Sequence, residues 1–149
     1  MRIVVQRVSK ASVSIAGNLH SAINYGFLVL VGVCNDDRYE DIAWMTQKII
    51  NLRVFGDELS KMNRSIQDVN GEILIVSQFT LFASVKKGNR PSFVASARPE
   101  FAIPLYEKFI DELMQYDIKI QTGIFGANMQ IELVNDGPVT IIIDSKNKE

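Results

Sequence analysis

The sequence has few of the residues on which metal sites and most nucleophilic enzymes depend. Its 149 residues include one cysteine, Cys34, and one histidine, His20. A single cysteine excludes an intrachain disulfide and a cysteine-based zinc site, and it indicates a reducing compartment. We expect Cys34 to be a small, buried apolar residue at the end of a strand. Nothing in the sequence pairs His20 with a nucleophile, and no metal ion or other cofactor is expected.

A strong net charge and a long hydrophobic run are also missing. The 16 basic and 17 acidic residues give a net charge of -1, which by itself predicts neither nucleic acid nor a membrane as a partner. The longest apolar run, residues 27–34, has the length of a strand and is too short to span a bilayer. Residues 1–8 alternate in polarity and do not resemble a signal peptide. These features predict a cytoplasmic protein without a membrane partner.

The hydrophobic pattern predicts one domain, residues 1–149, with strands and two main helices. The predicted strands are residues 3–8, 11–16, 19–24, 27–33, 53–55, 72–83, 119–125, 129–134 and 139–144. The predicted helices are residues 35–52 and 99–116. Ser9-Lys10 is taken as a turn, and the polar residues 145–149 are expected to fray. This order predicts an α+β fold with mostly antiparallel, barrel-like β-sheets and two main helices.

Polar side chains interrupt the predicted strand 72–83. They belong to the Ser-Gln-Phe-Thr segment, which consists of Ser77, Gln78, Phe79 and Thr80. An unpaired buried polar group costs roughly 1–3 kcal/mol, so these side chains need partners. Either they form a polar cluster that pairs with itself across a sheet, or they line a site for a ligand.

A second segment has an unusual residue at the start of a predicted strand. The Gly-Pro segment consists of Gly137 and Pro138 and precedes the apolar residues 139–144. Proline is rare in such a position because it cannot donate to a β-ladder. Both segments are explained if they face each other in a small-molecule pocket.

Together with their neighbours, the two segments resemble the D-aminoacyl-tRNA deacylase family. The shared motifs follow one collinear order over essentially the whole chain. They are residues 1–8, 61–63, 77–83, 87–93, 123–127 and 135–140. One such motif alone is weak, whereas six in order at matching spacing are specific. Asn128 and Ser84 depart from the family pattern, which usually has acidic residues there.

The resemblance implies a homodimeric enzyme that hydrolyses the ester between tRNA and a mischarged D-amino acid, and also glycine. It implies that the Ser-Gln-Phe-Thr segment of one subunit forms the floor of the pocket. It further implies that the Gly-Pro segment of the other subunit, with a cis peptide bond, projects into that pocket. Arg7 matches a family arginine that supports the Gly-Pro segment, although a charged residue at this place in a strand is usually on the surface.

Side-chain chemistry in the Ser-Gln-Phe-Thr segment favours a site without a protein nucleophile. In an extended strand, Gln78 and Thr80 would lie on one side, about 7 Å apart. Backbone N–H groups near Phe79 and Thr80 could stabilise the oxyanion that ester hydrolysis forms. The Thr80 hydroxyl is a weak nucleophile without a base. We therefore expect substrate-assisted hydrolysis, in which the free hydroxyl of the terminal ribose activates or binds the water.

The Gly-Pro segment suggests how the enzyme could reject L-amino acids. A cis peptide bond at this position would turn two carbonyl oxygens towards the α-ammonium group of the substrate. An L side chain would then collide with rigid backbone, whereas a D side chain or a hydrogen would point into open space.

The only dense basic stretch follows the Ser-Gln-Phe-Thr segment. It contains the basic segment, Lys86, Lys87 and Arg90, and Arg98 continues it. It is either a solvated loop or a surface that neutralises a few phosphates of the tRNA acceptor end.

Two other functions stay compatible with the sequence. One is a small-molecule esterase, against which the missing Ser-His or Cys-His pair counts. The other is a non-catalytic RNA-binding or dimerisation module in which the polar segment is structural. Release of free D-amino acid from charged tRNA separates these possibilities.

Overall fold

Strands make up most of the chain, and the two helices interrupt them. The structure, a computed structural model, describes residues 1–148. The strands are β1 (Arg2–Ile15), β2 (Asn18–Ile23), β3 (Gly26–Gly32), β4 (Phe55–Gly56), β5 (Met62–Arg64), β6 (Glu72–Ser77), β7 (Ile120–Thr122) and β8 (Met129–Asp144). The helices are α1 (Tyr39–Asn51), α2 (Pro99–Leu113) and a 3₁₀ helix at Phe79–Phe82. The predicted α+β fold with two main helices is confirmed.

Strand β1 organises the main sheet because it pairs along both of its edges. On one edge it runs antiparallel to β8, from Arg2 opposite Asp144 to Ile15 opposite Met129. On the other edge it pairs antiparallel with β3 and then with β2. Strands β3, β6 and β7 continue the sheet in parallel, so the sheet is mixed and curls into a nearly closed barrel.

The curled sheet has an apolar cluster on each face. Helices α1 and α2 cover one face, where Ile3, Val5 and Phe27 of the sheet pack against Ile49 and Phe109 of the helices. The other cluster lies inside the curl and contains Val8, Ala11, Val13, Leu28 and Leu74. Strand β1 contributes side chains to both clusters. Its ladder with β8 is irregular between Gln6 and Lys10, and this irregularity changes which side chains of β1 point to each face.

Several predicted element boundaries are wrong: α1 begins at Tyr39, β7 is only Ile120–Thr122, and three further differences change the sheet or the site. Ser9 and Lys10 do not form a turn but continue β1, which is paired with β8 on both sides of them. The predicted strands 129–134 and 139–144 are parts of the single strand β8. Strand β6 ends at Ser77, six residues before the predicted end at residue 83. In each case pairing with a distant strand or packing against one decides the boundary, and the local pattern does not contain that information.

Both ends of the described chain are fixed. The α-ammonium group of Met1 pairs with the buried carboxylate of Asp37 and donates to Ser145 Oγ at 2.8 Å. Lys146 Nζ lies 2.6 Å from Asp41 Oδ2 at the start of α1. The predicted fraying is therefore wrong for residues 145 and 146, and Glu149 lies outside the described residues. None of the helices within residues 1–148 is long and apolar enough to cross a membrane.

Candidate active site

The carboxyl ends of three parallel strands meet at one edge of the sheet. Val31 of β3 lies opposite Ser77 of β6, and Ile75 of β6 lies opposite Thr122 of β7. Residues 96 and 97 return to the end of β3. There the backbone N–H of Ala97 donates to Val33 O, one residue past β3, at 2.9 Å. Ligands of sheets with parallel strands commonly bind outside this edge. Segments far apart in the sequence therefore converge there.

The Ser-Gln-Phe-Thr segment leaves the sheet as a 3₁₀ turn. Gln78 N donates to Val31 O at 2.7 Å, and Leu81 N then donates back to Gln78 O at 3.2 Å. The turn fits over β3 because β3 ends in a glycine. A Cβ on Gly32 would lie 3.0 Å from Gln78 O and 3.1 Å from Leu81 Cβ, which is tighter than ordinary contact.

The 3₁₀ turn changes which groups of the segment can meet a ligand. The Gln78 amide donates directly to the Thr80 hydroxyl, so the two side chains are neighbours and are not separated along a strand. The backbone N–H groups of Phe79 and Thr80 are the first two of the 3₁₀ helix, where a helix offers its own N–H groups no acceptor. Arg2 fixes the end of the turn by donating to Leu81 O at 2.8 Å.

A cavity of about 550 Å³ opens beside this turn. It is lined by residues 76–79, 93, 96–99, 125–129 and 131. Ser77, Gln78 and Phe79 of the predicted site are among them, whereas Thr80 is not. The cavity is thus formed by the segments that follow β6 and β7 and by the segment that precedes α2.

Aromatic rings form two walls of the cavity. Phe79 and Phe93 are in edge-to-face contact at 5.1 Å between ring centroids. On another side, Tyr106 of α2 contacts Phe125 at 5.6 Å and donates its hydroxyl to Ile75 O at 3.2 Å. Burial raises the pKa of the Tyr106 hydroxyl, which therefore stays a neutral donor and holds the wall in place.

Sequence reasoning missed three polar residues that line the cavity, Ser96, Arg98 and Asn128. The sequence marks Asn128 only as a departure from a family pattern, away from the two segments. It marks Arg98 only as a continuation of the basic stretch, and it does not mark Ser96. The motif at residues 123–127 was the one available signal that the chain returns to the site after β7.

The Gly-Pro segment lies within β8, in a bulge loop where that strand leaves the β1–β8 ladder. Gln6 pairs with Thr140 and Val8 pairs with Asn135, so residues 136–139 bulge out opposite the one residue between Gln6 and Val8. The Gly-Pro peptide bond is cis, as the family resemblance implies. Both residues of the segment are exposed.

Arg7 of β1 lies opposite this loop, and its guanidinium group holds the loop in place. Its Nε donates to Asp136 O at 3.2 Å and lies 3.1 Å from Asp136 Oδ2. Its Nη1 donates to Val54 O, on the other side of the guanidinium. The Arg7 side chain is only 13% exposed, so it is not the surface residue that its place in a strand would suggest. A Cβ on Gly137 would lie 2.8 Å from Arg7 Nη2.

Asn135, which precedes the same loop, forms side-chain hydrogen bonds to the residues at the loop's other end. Its Oδ1 accepts from Val139 N at 2.9 Å, and its Nδ2 donates to Thr140 Oγ1 at 2.9 Å. Gln6 Nε2 also donates to Thr140 Oγ1, at 3.3 Å. The loop that carries the Gly-Pro segment is therefore held by side chains at both ends and in the middle.

Within one chain the two predicted segments do not share a cavity. Neither Gly137 nor Pro138 lines the cavity beside the Ser-Gln-Phe-Thr segment. Another cavity, of about 670 Å³, lies between α1 and the outer face of β1 and β8 and is lined by Trp44, Lys48 and Ile142, among others. It contains none of the predicted site residues.

The basic segment lies at the tip of an exposed hairpin-like loop. Ser84 and Ser92 exchange backbone hydrogen bonds of 2.8 and 2.9 Å, so Lys86, Lys87 and Arg90 project beyond this bridge. None of the three forms an ion pair within residues 1–148. They are available to an anionic partner.

Comparisons with known proteins show the family of the chain. The sequence matches the family model described as D-Tyr-tRNA(Tyr) deacylase over residues 4–144. It is 62% identical to the D-aminoacyl-tRNA deacylase of Cytophaga hutchinsonii, over 98% of each chain. It is 54% identical to the D-aminoacyl-tRNA deacylase of Chlorobaculum tepidum, over 99% of each.

Two solved structures share the fold. One, titled c-Myc DNA Unwinding Element Binding Protein, is 45% identical and superposes with a TM-score of 0.92, covering 97% of this chain and 98% of that one. The other, a probable eukaryotic D-amino acid tRNA deacylase, has a TM-score of 0.82 over 95% of this chain and 97% of that one, at 16% identity, and shows the fold alone. The fold and the full-length similarity define an ester hydrolase. The chain belongs to the D-Tyr-tRNA(Tyr) deacylase family.

Proposed function

We propose that the protein hydrolyses the ester bond of D-aminoacyl-tRNA, and of mischarged glycyl-tRNA, and releases the free amino acid and tRNA. The observation that carries this proposal is the similarity over essentially the full chain to relatives named D-aminoacyl-tRNA deacylase. The cavity beside the Ser-Gln-Phe-Thr segment supports it, because this cavity joins an aromatic interior to oriented polar groups. The enzyme would act in the cytoplasm, where charged tRNA is found.

Stabilisation of the oxyanion falls to the 3₁₀ turn. Hydrolysis forms a tetrahedral intermediate whose negative oxygen needs donors that are already oriented. The backbone N–H groups of Phe79 and Thr80 stand at the start of the 3₁₀ helix, free of the β-ladder. An ester carbonyl seated against Phe79 would point its oxygen at these two donors. Removing such a donor in other hydrolases costs about 10²–10³ in kcat.

Activation of water falls to the substrate and not to a protein base. The Thr80 hydroxyl accepts a hydrogen bond from Gln78, and an amide cannot take the proton that a nucleophile must lose. His20, the one histidine, is exposed on β2 and forms no hydrogen bond to Thr80 in residues 1–148. The vicinal hydroxyl of the terminal ribose is then the group placed to bind or activate the water.

The Gly-Pro segment would exclude L-amino acids from the cavity of a partner subunit. It is exposed and held by Arg7 and Asn135, yet it lies outside the cavity of its own chain. A homodimer brings the segment of one subunit to the cavity of the other, and the two-fold relation completes both sites at once. Rigid backbone at that place rejects an L side chain by collision.

The basic segment would contact phosphates of the tRNA acceptor end. Lys86, Lys87 and Arg90 are exposed and free of ion pairs within residues 1–148, and their loop leads directly to residues 93 and 96–99 of the cavity. Contacts of this kind position a nucleic acid without reading its sequence and weaken with salt.

One assay tests the proposal and separates it from its rivals. The protein is incubated with D-tyrosyl-tRNA, L-tyrosyl-tRNA and the ethyl ester of D-tyrosine, and free amino acid is measured. We expect rapid release from D-tyrosyl-tRNA alone. Comparable turnover of the ethyl ester would instead indicate a small-molecule esterase. Binding of tRNA without release of any amino acid would indicate a non-catalytic module.

A further inference from the structure

One charged side chain lines the cavity beside the Ser-Gln-Phe-Thr segment, and within residues 1–148 it forms no ion pair. Arg98 is the only charged residue among those that line it. Its guanidinium forms no ion pair and no side-chain hydrogen bond within residues 1–148. Arg98 is exposed at the cavity and keeps its charge, so an anion bound at this point would gain a charge-assisted contact.

The backbone around Arg98 is fixed, so the side chain starts from a defined place. Ala97 N donates to Val33 O at 2.9 Å, and Ser96 and Cys34 form a β-bridge at the end of β3. On the other side, Arg98 O accepts from Phe101 N and Ala102 N at the start of α2. The guanidinium therefore extends from a rigid junction between the sheet and α2.

The aromatic walls of the cavity indicate which part of a substrate would lie next to an anion bound by Arg98. Phe79 and Phe93 stand at the opening, 55% and 38% exposed, and Phe125 lies further in. Aromatic side chains of this kind receive a planar base, with about 1–3 kcal/mol per stacked base in single-stranded nucleic acids. In an aminoacyl-tRNA, the reacting ester and a phosphodiester are attached to the same terminal ribose. A nucleoside held among these rings would leave that phosphate near the opening.

We propose that Arg98 binds the phosphate on the 5′ side of the terminal nucleotide of the tRNA acceptor end. The proposal rests on the proposed function, and it assigns to Arg98 a role in substrate binding and not in the chemical step. The guanidinium suits a phosphate because its planar fork can donate two parallel hydrogen bonds to it. Arg98 also follows the exposed basic segment, Lys86, Lys87 and Arg90, along the chain and is the residue of that stretch that lines the cavity.

Two small substrates that differ by this phosphate provide the test. They are the D-tyrosyl 3′-esters of adenosine and of adenosine 5′-monophosphate. We expect the parent protein to prefer the phosphorylated ester about tenfold in kcat/KM, as a charge-assisted contact predicts. Arg98→Ala should abolish this preference by raising KM for the phosphorylated ester while leaving the other ester unchanged. Arg98→Lys, which keeps the charge but loses the fork, should retain part of the preference.

Lys10→Ala is the matched control, because Lys10 is an exposed cation on β1 that lines neither this cavity nor the one beside α1. It should keep the full preference. On charged tRNA, Arg98→Ala should reduce the slope of log kcat/KM against log salt by about 1. An equal loss on both esters, or a preference that survives Arg98→Ala, would overturn the proposal.

A binding measurement separates this proposal from the proposed function. If the parent protein hydrolyses neither ester and no charged tRNA, the proposed function fails. Calorimetric titration with adenosine 5′-monophosphate and adenosine then still reports on Arg98. Tighter binding of the monophosphate that Arg98→Ala abolishes supports the phosphate contact, and equal binding of both ligands refutes it.

Discussion

At Gly137 there is no room for a side chain. A Cβ would lie 2.8 Å from Arg7 Nη2 and 2.9 Å from Val139 Cγ2, and the backbone has φ +124°. Gly137→Ala should therefore displace the guanidinium that supports the loop and shift the Gly-Pro segment. Because a misplacement of about 1 Å can cost up to 10²-fold in rate, we expect kcat/KM on D-aminoacyl-tRNA to fall by about tenfold or more.

Gly17→Ala is the control for this substitution. Gly17 also has a positive φ, +79°, but nothing lies within 4 Å of an added Cβ. It should lose a similar amount of stability from backbone strain, on the order of 1 kcal/mol, and keep full activity. If Gly137→Ala stays folded and retains the parental rate on D-aminoacyl-tRNA, the role given to the Gly-Pro segment is wrong.

At Thr80 the question is whether the hydroxyl attacks the ester. With the ribose hydroxyl as the chemical actor, Thr80→Ala loses only the contact with Gln78 and should reduce kcat by less than about tenfold. A nucleophile would cost several orders of magnitude. Single-turnover deacylation of D-aminoacyl-tRNA measures the difference, with Thr80→Ser to restore the hydroxyl. An acyl-enzyme trapped on Thr80 would contradict substrate assistance.

At the scale of elements, the start of α1 predicts a specific response to acid. Burial alone would raise the pKa of Asp41, but hydrogen bonds from Lys146, Ser145 and the backbone of Arg38 lower it to about 2. Because folding lowers this pKa, the ionised carboxylate stabilises the fold. The stabilisation is fully present above the unfolded-state pKa, near 3.8, and it is lost as the pH falls towards 2.

Asp41→Asn tests whether the ionised carboxylate stabilises the fold. An amide can still accept a hydrogen bond from Arg38 N but cannot form an ion pair with Lys146. In urea unfolding, the variant should be less stable than the parent protein at pH 6, and the difference should disappear between about pH 4 and pH 2. Asp111→Asn, at an exposed position of α2, controls for the chemical change. A difference that stays constant down to pH 2 would show that the Asp41 charge does not stabilise the fold.

The Ser-Gln-Phe-Thr segment shows what a sequence pattern can and cannot predict about a single element. Its polar residues predict a site, and three of the four residues of the segment line the cavity. Its conformation was predicted as a strand because Phe79 and Leu81 alternate with polar residues. The strand ends early for two reasons that lie elsewhere in the chain: Gly32 makes room for the 3₁₀ turn, and Arg2 binds its last carbonyl. Local periodicity carries neither fact.

At the scale of the whole molecule, the same limit applies to the site. The fold class and the two main helices follow from hydrophobic periodicity. The cavity depends on which strand ends meet, and Arg98 and Asn128 enter it only because β3, β6 and β7 are parallel neighbours. Parallel neighbours are chosen by tertiary packing, so no local signal could assign these two residues.

The separation of the two segments within one chain yields the last prediction, which concerns the assembly. Gln78 lines the cavity, whereas Gly137 lies outside it. If the protein is a homodimer in which each cavity receives the Gly-Pro segment of the other subunit, Gln78→Ala and Gly137→Ala damage different halves of a composite site. A mixed dimer then has one site with both halves intact and one with both damaged.

Combining the two impaired variants in one dimer should therefore restore activity. Each mixed dimer has one intact site of two, so we expect the doubly purified mixed dimer to have about half of the parental rate per site. The variants are co-expressed with different affinity tags, and the doubly purified dimer is assayed on D-aminoacyl-tRNA, with each variant alone as the control. Sedimentation should show a dimer at micromolar concentration. If the mixed dimer forms but is no more active than either variant alone, each site is built from a single chain. A fully active protein that sediments only as a monomer would refute the composite site altogether.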